Sequence, residues 1–223
     1  MAKKILKNYL SASDRLSEIM FGLIMAMTII GASKIALVSG DEELNGRVII
    51  AAALGCNFAW GLVDAIMYVF TELIDRGKYM GLVSTVKQSK DESAAIASID
   101  RALENPIIGN LGEAERKQLC SSLYKNMSTI EPKKVRVVKD DVIGAFICFV
   151  LAFFTAFLTV IPFFIPFGQL LFKIWLSRLI SFAMLFAIGF VYASHTNKGK
   201  VKTAVGMVVV GLVINIVIIM LGG

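Results

Sequence analysis

The fold is decided by residues 48–73, VIIAAALGCNFAWGLVDAIMYVFTEL. This stretch is long enough to cross a bilayer, because about 20 apolar residues span the hydrocarbon layer. It nevertheless carries a carboxylate, Asp64, well inside the apolar run. A charged side chain at membrane depth is costly and is by default a functional-site hypothesis. The stretch therefore predicts a membrane helix that carries a functional polar group.

Polar and small residues recur along one side of this helix. Four of them follow the spacing i, i+4, i+7 and i+11: Asn57, Gly61, Asp64 and Tyr68. Met67 lies beside that face, three residues from Asp64. A carboxylate with a thioether one turn away favours a transition-metal ion, because sulfur adds tolerance for softer cations. The alternative is that Asp64 only packs and hydrogen-bonds between helices.

Composition indicates an integral membrane protein. Of the 223 residues, 57% are hydrophobic, whereas soluble domains contain about 45–50%. Five apolar stretches are long enough to span a bilayer: 16–37, 48–73, 142–165, 170–192 and 201–221. The sequence therefore predicts an all-α polytopic membrane protein with five transmembrane helices.

A polar segment, residues 75–139, divides the chain. It separates a lead-in and two spans, residues 1–74, from three spans, residues 140–223. Amphipathic patterns over 91–104 and 113–127 predict two short helices within it. We expect a small helical insert between transmembrane helices 2 and 3.

The distribution of lysine and arginine predicts the orientation. Basic residues cluster before the first span, in the polar segment and between the last two spans, whereas the link between the first two spans is acidic. The positive-inside rule then places the N-terminus and the insert in the cytoplasm and the C-terminus outside.

The link between the first two spans is so short that they must run antiparallel as neighbours. Glu18, near the start of one, then lies at the same membrane face as Glu72, near the end of the other. Asp64 lies somewhat deeper, and Met20 and Met67 can lie at similar depths. We therefore expect two polar stripes to converge on one vestibule.

The candidate metal ligands and their neighbours lie on these two spans or just before the first: Asp14, Glu18, Met20, Met25, Asn57, Asp64, Met67 and Glu72. We expect Glu18, Asp64 and Met67 at or next to the ion, with Asp14 and Glu72 at the entrance. The methionines equally fit a packing role.

Missing motifs count against enzymatic chemistry. The chain has no Walker A loop, HExxH or GxSxG, and its only histidine, His195, lies in a polar turn. Cys56, Cys120 and Cys148 form no CxxC pair, which supports neither a disulfide framework nor a thiolate zinc site. We expect no tightly bound cofactor.

No nucleic-acid partner is expected either, because no basic patch is interleaved with stacking aromatics.

Two stretches, DRLSEIMFGLIMAMTIIGA (14–32) and LGCNFAWGLVDAIMYVF (54–70), accompany five spans, a helical insert and the ending IVIIMLGG. Together they resemble the vacuolar iron transporter family, in a divergent bacterial branch. The resemblance implies a homodimer with a pathway between the first helices of the two subunits. It also implies proton-coupled export of Fe(II) or Mn(II) across a bacterial or archaeal inner membrane, with insert glutamates gathering the metal.

The chain departs from the family's pattern in both spans. Family members carry Asp-Gly-Leu in the first span, where this chain has Phe21-Gly22-Leu23, so Glu18 is the nearest substitute. In the second span, Met67 and Glu72 match the family's Met and Gly-Glu loosely, and Asp64 is additional.

Three functions remain open. The leading one is a proton-coupled divalent-metal transporter, in which metal and proton compete for Asp64. The second is a transporter or channel for an anion or small metabolite, lined by Lys34, Lys173 and Arg178. The third is a non-transporting membrane protein whose insert recruits a partner.

Overall fold

The computed structural model describes residues 9–40, 44–103, 106–196 and 198–220. Every regular element in those ranges is helical: α1 (Ala12–Val38), α2 (Gly46–Gln88), α3 (Glu92–Ala102), α4 (Pro106–Gly109), α5 (Glu113–Thr129), α6 (Lys139–Val160), α7 (Leu170–Thr196) and α8 (Lys200–Met220). A short 3₁₀ helix, Ile161–Phe164, directly follows α6.

Five segments of the described chain are long and apolar enough to cross a membrane: Ala12–Val38, Gly46–Gln88, Lys139–Phe164, Leu170–Thr196 and Lys200–Ile218. They confirm the prediction of an all-α chain with five membrane helices, and they indicate an integral membrane protein. The helix of the second span extends beyond residue 73 and continues to Gln88. The predicted end of the fifth span, residue 221, lies outside the described residues.

The chain divides into two compact units. One comprises the described residues up to Tyr68 together with those from Lys139 onward, and the other is Val69–Val138. The boundary falls before residue 75, because the last turns of α2 pack with the small helices that follow. Val83 and Val86 of α2 are buried in the core of the second unit.

The second unit has its own small core. Asp91 caps α3 by accepting a hydrogen bond from the backbone N–H three residues later, at 2.7 Å. Ala95 and Ile99 of α3 are buried together with Cys120 and Met127 of α5. Both predicted helices are confirmed here, although Cys120 was not predicted as a core residue.

Cys120 lies beside an ion pair between α3 and α5. Arg116 Nε donates to Asp100 Oδ1, and Cys120 Sγ donates to the same oxygen at 3.7 Å. Burial, followed by the negative charge of Asp100, raises the pKa of the Cys120 thiol, although Arg116 opposes this shift. Because the thiolate is the nucleophilic form, this raised pKa lowers the reactivity of the thiol.

In the first unit, α6 anchors both α1 and α2. A Cβ added at Gly22 of α1 would overlap the carbonyl oxygen of Ala152 in α6, so the two backbones touch. A Cβ at Gly61 of α2 would lie 3.2 Å from Phe149 O and 3.5 Å from Ala152 Cβ. Glycine at both positions therefore permits two helices to approach the same turn of α6.

α1 and α2 run antiparallel, as the short link predicts. Ile30 of α1 shares a core cluster with Ile49 and Ala53, near the beginning of α2. Glu18, near the beginning of α1, interacts with Asp64, farther along α2. The two helices are therefore neighbours, although the backbone contact of α1 at Gly22 is made with α6.

We expect Gly22→Ala to destabilise the protein, because the new methyl group would displace a backbone carbonyl. Overpacking costs about 1–3 kcal/mol, whereas Gly→Ala in an open helix position gains up to about 1 kcal/mol. Gly55→Ala is the matched control, since nothing lies within 4 Å of a Cβ there. The measurement is the thermal unfolding midpoint in detergent, and equal midpoints for the two variants would contradict the close approach.

Candidate functional site: a carboxyl pair between two membrane helices

Glu18 is positioned by the beginning of α1. The Ser11 hydroxyl accepts a hydrogen bond from Asp14 N at 3.1 Å, and Asp14 Oδ2 accepts one from Ser11 N at 3.1 Å. This reciprocal capping box fixes the first turn of the helix. Glu18 follows Asp14 by one turn on the same helix face. The Asp14 carboxylate, predicted at the entrance of the site, thus takes part in starting the helix.

Asp64 is held between two contacts of α2 with its neighbours. On one side, Gly61 packs against Phe149 and Ala152 of α6. On the other side, the Tyr68 ring occupies the space above Gly144 of α6, where a Cβ would overlap it. The Tyr68 hydroxyl also donates to Tyr9 O at 2.9 Å. These contacts turn the side of α2 that carries Asp64 towards the interior.

The helix face predicted from spacing is confirmed. Asn57 and Gly61 are buried, and Asp64 and Tyr68 are half-buried. By contrast, most residues on the other sides of α2 in this region are exposed, including Trp60 and Val63.

The carboxyl groups of Glu18 and Asp64 lie within hydrogen-bonding reach of each other. Glu18 Oε2 and Asp64 Oδ2 are buried, and no donor in the described part of the chain reaches either atom. Ionised carboxylates only accept hydrogen bonds, so a bond between them requires a proton on one of them. Without that proton, two like charges would face each other away from water. The pair is therefore suited to hold either a shared proton or a cation.

Asn57 adds an acceptor on the same face of α2. It is completely buried, and its Nδ2 donates to Ala53 O at 3.0 Å. Its Oδ1 is buried without a donor among the described residues. Two turns separate Asn57 from Asp64 along α2. The face thus presents a second kind of oxygen, which can accept a hydrogen bond or contact a cation.

Cys148 of α6 is a neighbour of the pair that was missed from the sequence. It is buried and lies close enough to interact electrostatically with Glu18 and Asp64. The predicted third span, residues 142–165, contains no charged residue, so the charge pattern did not point to this position. The spacing of small residues nevertheless indicated a packed face that includes this position. Buried small residues recur every four positions on α6: Gly144, Cys148, Ala152 and Ala156. That spacing is typical of a face on which other helices pack closely.

The three predicted methionines lie in different environments. Met20 packs against a core cluster that includes Leu185 and Ile188 of α7. Met67 is 54% exposed, on the outer side of α2. Met25 is half-buried in α1. Glu72 belongs to the second unit, and its place at the entrance stays a prediction.

The structure therefore brings together Glu18 and Asp64, with Asn57 farther along the same face. Within the described ranges, no three His, Cys, Asp or Glu side chains form a metal-binding group. Two carboxylates are too few to close the shell of a structural metal site. They are compatible with an ion that binds weakly and leaves again, as conduction requires.

No protein-family model matches this chain, and no curated protein is significantly similar to it. The functional assignment therefore rests on the carboxyl pair.

We expect Glu18→Gln to be more stable than the wild type at alkaline pH. At that pH the wild-type pair either holds a proton against an alkaline solution or keeps two negative charges facing each other. In the variant, the side-chain amide donates a hydrogen bond to Asp64 at every pH. Hydrogen bonds to charged groups are worth about 1.5–3 kcal/mol, so the unfolding midpoint should rise by a few degrees. The advantage should shrink on acidification, when the wild-type pair acquires its proton.

The measurement is thermal unfolding of the purified protein with a chelator across a pH series. Glu131→Gln, at an exposed position, is the control for loss of one negative charge. A stability difference that is independent of pH would show that the two carboxyl groups do not share a proton.

Proposed function

We propose that the protein transports divalent transition-metal ions, Fe(II) or Mn(II), and exports them from the cytoplasm in exchange for protons. One observation carries this proposal. Glu18 and Asp64 meet from two membrane helices, and each has a buried oxygen without a hydrogen-bond donor. An intramembrane acidic pair of this kind is typical of ion pathways and proton relays.

Charge balance favours a divalent cation at this pair. One divalent ion neutralises two carboxylates, and two protons do the same. Either occupant removes the cost of holding the charges away from water. Because carboxylates must be deprotonated to bind a metal, the ion and the protons compete for the same oxygens. This competition supplies a physical route to exchange of one divalent ion against protons.

The donor atoms favour the harder end of the first-row metals. Carboxylate and amide oxygens suit Mn(II), and a neighbouring thiol such as that of Cys148 extends the range towards Fe(II). Both ions bind weakly in the first-row order of affinity, which suits a site that must release its cargo. The resemblance to the vacuolar iron transporter family also supports Fe(II) as the transported ion.

The basic residues and the same resemblance support the remaining features of the proposal. The N-terminus and residues 75–139 would lie in the cytoplasm and the C-terminus outside, in a bacterial or archaeal inner membrane. Two copies would form the working unit. The exposed apolar side of α2, which carries Trp60, Val63 and Phe70, is compatible with contact to a second copy or to lipid.

We expect metal flux in vesicles that contain only the purified protein. Fe(II), Mn(II), Co(II) and Zn(II) are compared with empty vesicles by a metal-sensitive dye in the lumen. Asp64→Asn and Glu18→Gln should lower flux by about tenfold or more, since removing even the outer partners of metal ligands costs about that much. Glu131→Gln should transport like the wild type.

Absence of flux for all four metals would overturn the proposal. The same vesicles separate the alternatives, because anion or metabolite transport should be lost in Arg178→Met and retained in Asp64→Asn. A protein that only recruits a partner should give no flux and should bind that partner equally well after Asp64→Leu.

We further expect Asp64→Asn to lose the coupling to protons. The amide keeps the size and hydrogen bonding of the side chain but cannot exchange a proton. Glu18→Gln should weaken metal binding with a smaller effect on coupling, because Glu18 lies nearer the beginning of its span. The measurement is metal flux driven by a pH gradient. If Asp64→Asn responds to the gradient like the wild type, proton exchange occurs at another group.

A further inference from the structure

A buried arginine lies within α7. Arg178 is 8% exposed, and no described residue accepts a hydrogen bond from its Nε or Nη2. A guanidinium remains charged in proteins, and a buried charge without a partner is strongly unfavourable. Arginine within a membrane helix therefore calls for a counter-charge or a polar cavity.

A third unpartnered donor lies on the neighbouring helix. Asn215 of α8 is 6% exposed, and its buried Nδ2 also has no acceptor among the described residues. Both side chains are thus more than nine-tenths buried, and both present N–H groups. A site with donors and no acceptor is suited to bind an anion.

The register of α7 against α8 places these donors at the same level. A Cβ on Gly189 would lie 2.7 Å from Ala204 Cα, and the Leu185 side chain occupies the space beside Gly211. The two helices therefore run antiparallel, and position 178 falls opposite positions 215–218.

The helix α1 closes the third side of this junction. A Cβ on Gly31 of α1 would lie 3.8 Å from Arg178 Nη2 and 3.4 Å from Ile218 Cγ2. Ile218 follows Asn215 by three residues, so both lie on one side of α8. Arg178 thus lies where α1, α7 and α8 meet. Because the helices pack this closely, any occupant of the junction must be small.

The acidic residues described in the membrane helices of the first unit lie too far away to neutralise Arg178. Glu18 and Asp64 interact with each other near the beginning of α1. Gly31, which lies beside Arg178, is thirteen residues from Glu18, or about 20 Å along a helix. Asp140 accepts a hydrogen bond from Tyr9, just before α1 begins, and therefore lies at the Glu18 end as well.

The surroundings of Arg178 add positive charge. Lys34 Nζ lies 4.9 Å from the centre of the Trp175 ring, and Arg178 Cζ lies 5.9 Å from the same ring. The ring attracts both cations through its quadrupole but carries no net charge. The nearby hydroxyls of Ser177 and Ser181 donate to backbone carbonyls.

We propose that the junction of α1, α7 and α8 binds a small inorganic anion of the size of chloride, held by Arg178 and Asn215. The anion supplies the missing negative charge and accepts hydrogen bonds from the three unpartnered nitrogens, Arg178 Nε, Arg178 Nη2 and Asn215 Nδ2. It thereby joins the three helices at a place where their own side chains would leave a net charge. This site is independent of the carboxyl pair and of the proposed metal transport.

The first test uses chloride itself. Purified protein in detergent is unfolded thermally while chloride replaces gluconate at constant potassium concentration. We expect chloride to raise the midpoint saturably by about 3 °C or more, since a ligand that binds only the folded state stabilises it. Arg178→Met should lose this shift, and Arg47→Gln, which removes an exposed charge, should keep it. Absence of the shift in the wild type, or its persistence in Arg178→Met, would overturn the proposal.

Asn215→Asp tests the same site without removing the arginine. The new carboxylate supplies the negative charge permanently. We expect this variant to be as stable without chloride as the wild type is with it, and to show no further response. A variant that keeps the full chloride response would show that Asn215 lies away from the anion.

Fluorescence provides a direct readout beside the arginine. The chain has two tryptophans, so Trp60→Phe leaves Trp175, next to Arg178, as the only reporter. Iodide should quench it with a saturable component that chloride displaces and that Arg178→Met removes. If quenching increased only linearly with iodide concentration, with and without Arg178→Met, it would come from collisions alone. That result would contradict a binding site.

Discussion

The contact of two helices with one turn of α6 is the constraint on which the first unit depends. Gly22 places the backbone of α1 against the carbonyl of Ala152, and Gly61 places α2 against the same residue. Glu18 precedes Gly22 by one turn, and Asp64 follows Gly61 by one turn. The close approach therefore decides that the two carboxyl groups face each other instead of lipid, and a side chain at either glycine would separate them.

Among its described residues, the first unit leaves charges of opposite sign without partners in two separate places. Near the beginning of α1, acceptors collect without donors, and about 20 Å farther along this helix, donors collect without acceptors. Placing Arg178 beside Glu18 would have satisfied both groups and stabilised the fold. Because these groups are separated, each place requires a partner of opposite charge from outside the chain. This is typical of polar groups retained in membrane helices for function.

Much of the arrangement follows from local patterns. The spacing of Asn57, Gly61 and Asp64 correctly predicted the inward face of α2, and the short link correctly predicted antiparallel neighbours. The roles of the methionines were harder to predict, because a thioether side chain packs in cores as readily as it binds metals. Met20 packs towards α7, whereas Met67 is exposed. The place of Cys148 beside the carboxyl pair was not predicted, because the third span has no charged residue and it is the small residues of α6 that pack against other helices.

The sequence by itself determined that the chain forms membrane helices, where they lie and which side of α2 turns inward. It could do so because backbone groups in a membrane must bond within their own helix and because side-chain spacing sets a face. Only the tertiary structure decided that, of the eight candidate residues, Glu18 and Asp64 form the buried pair, and that Arg178 has no acidic neighbour among the described residues. Those pairings depend on which helix approaches α6 and in what register, and register depends on contacts between residues far apart in the chain.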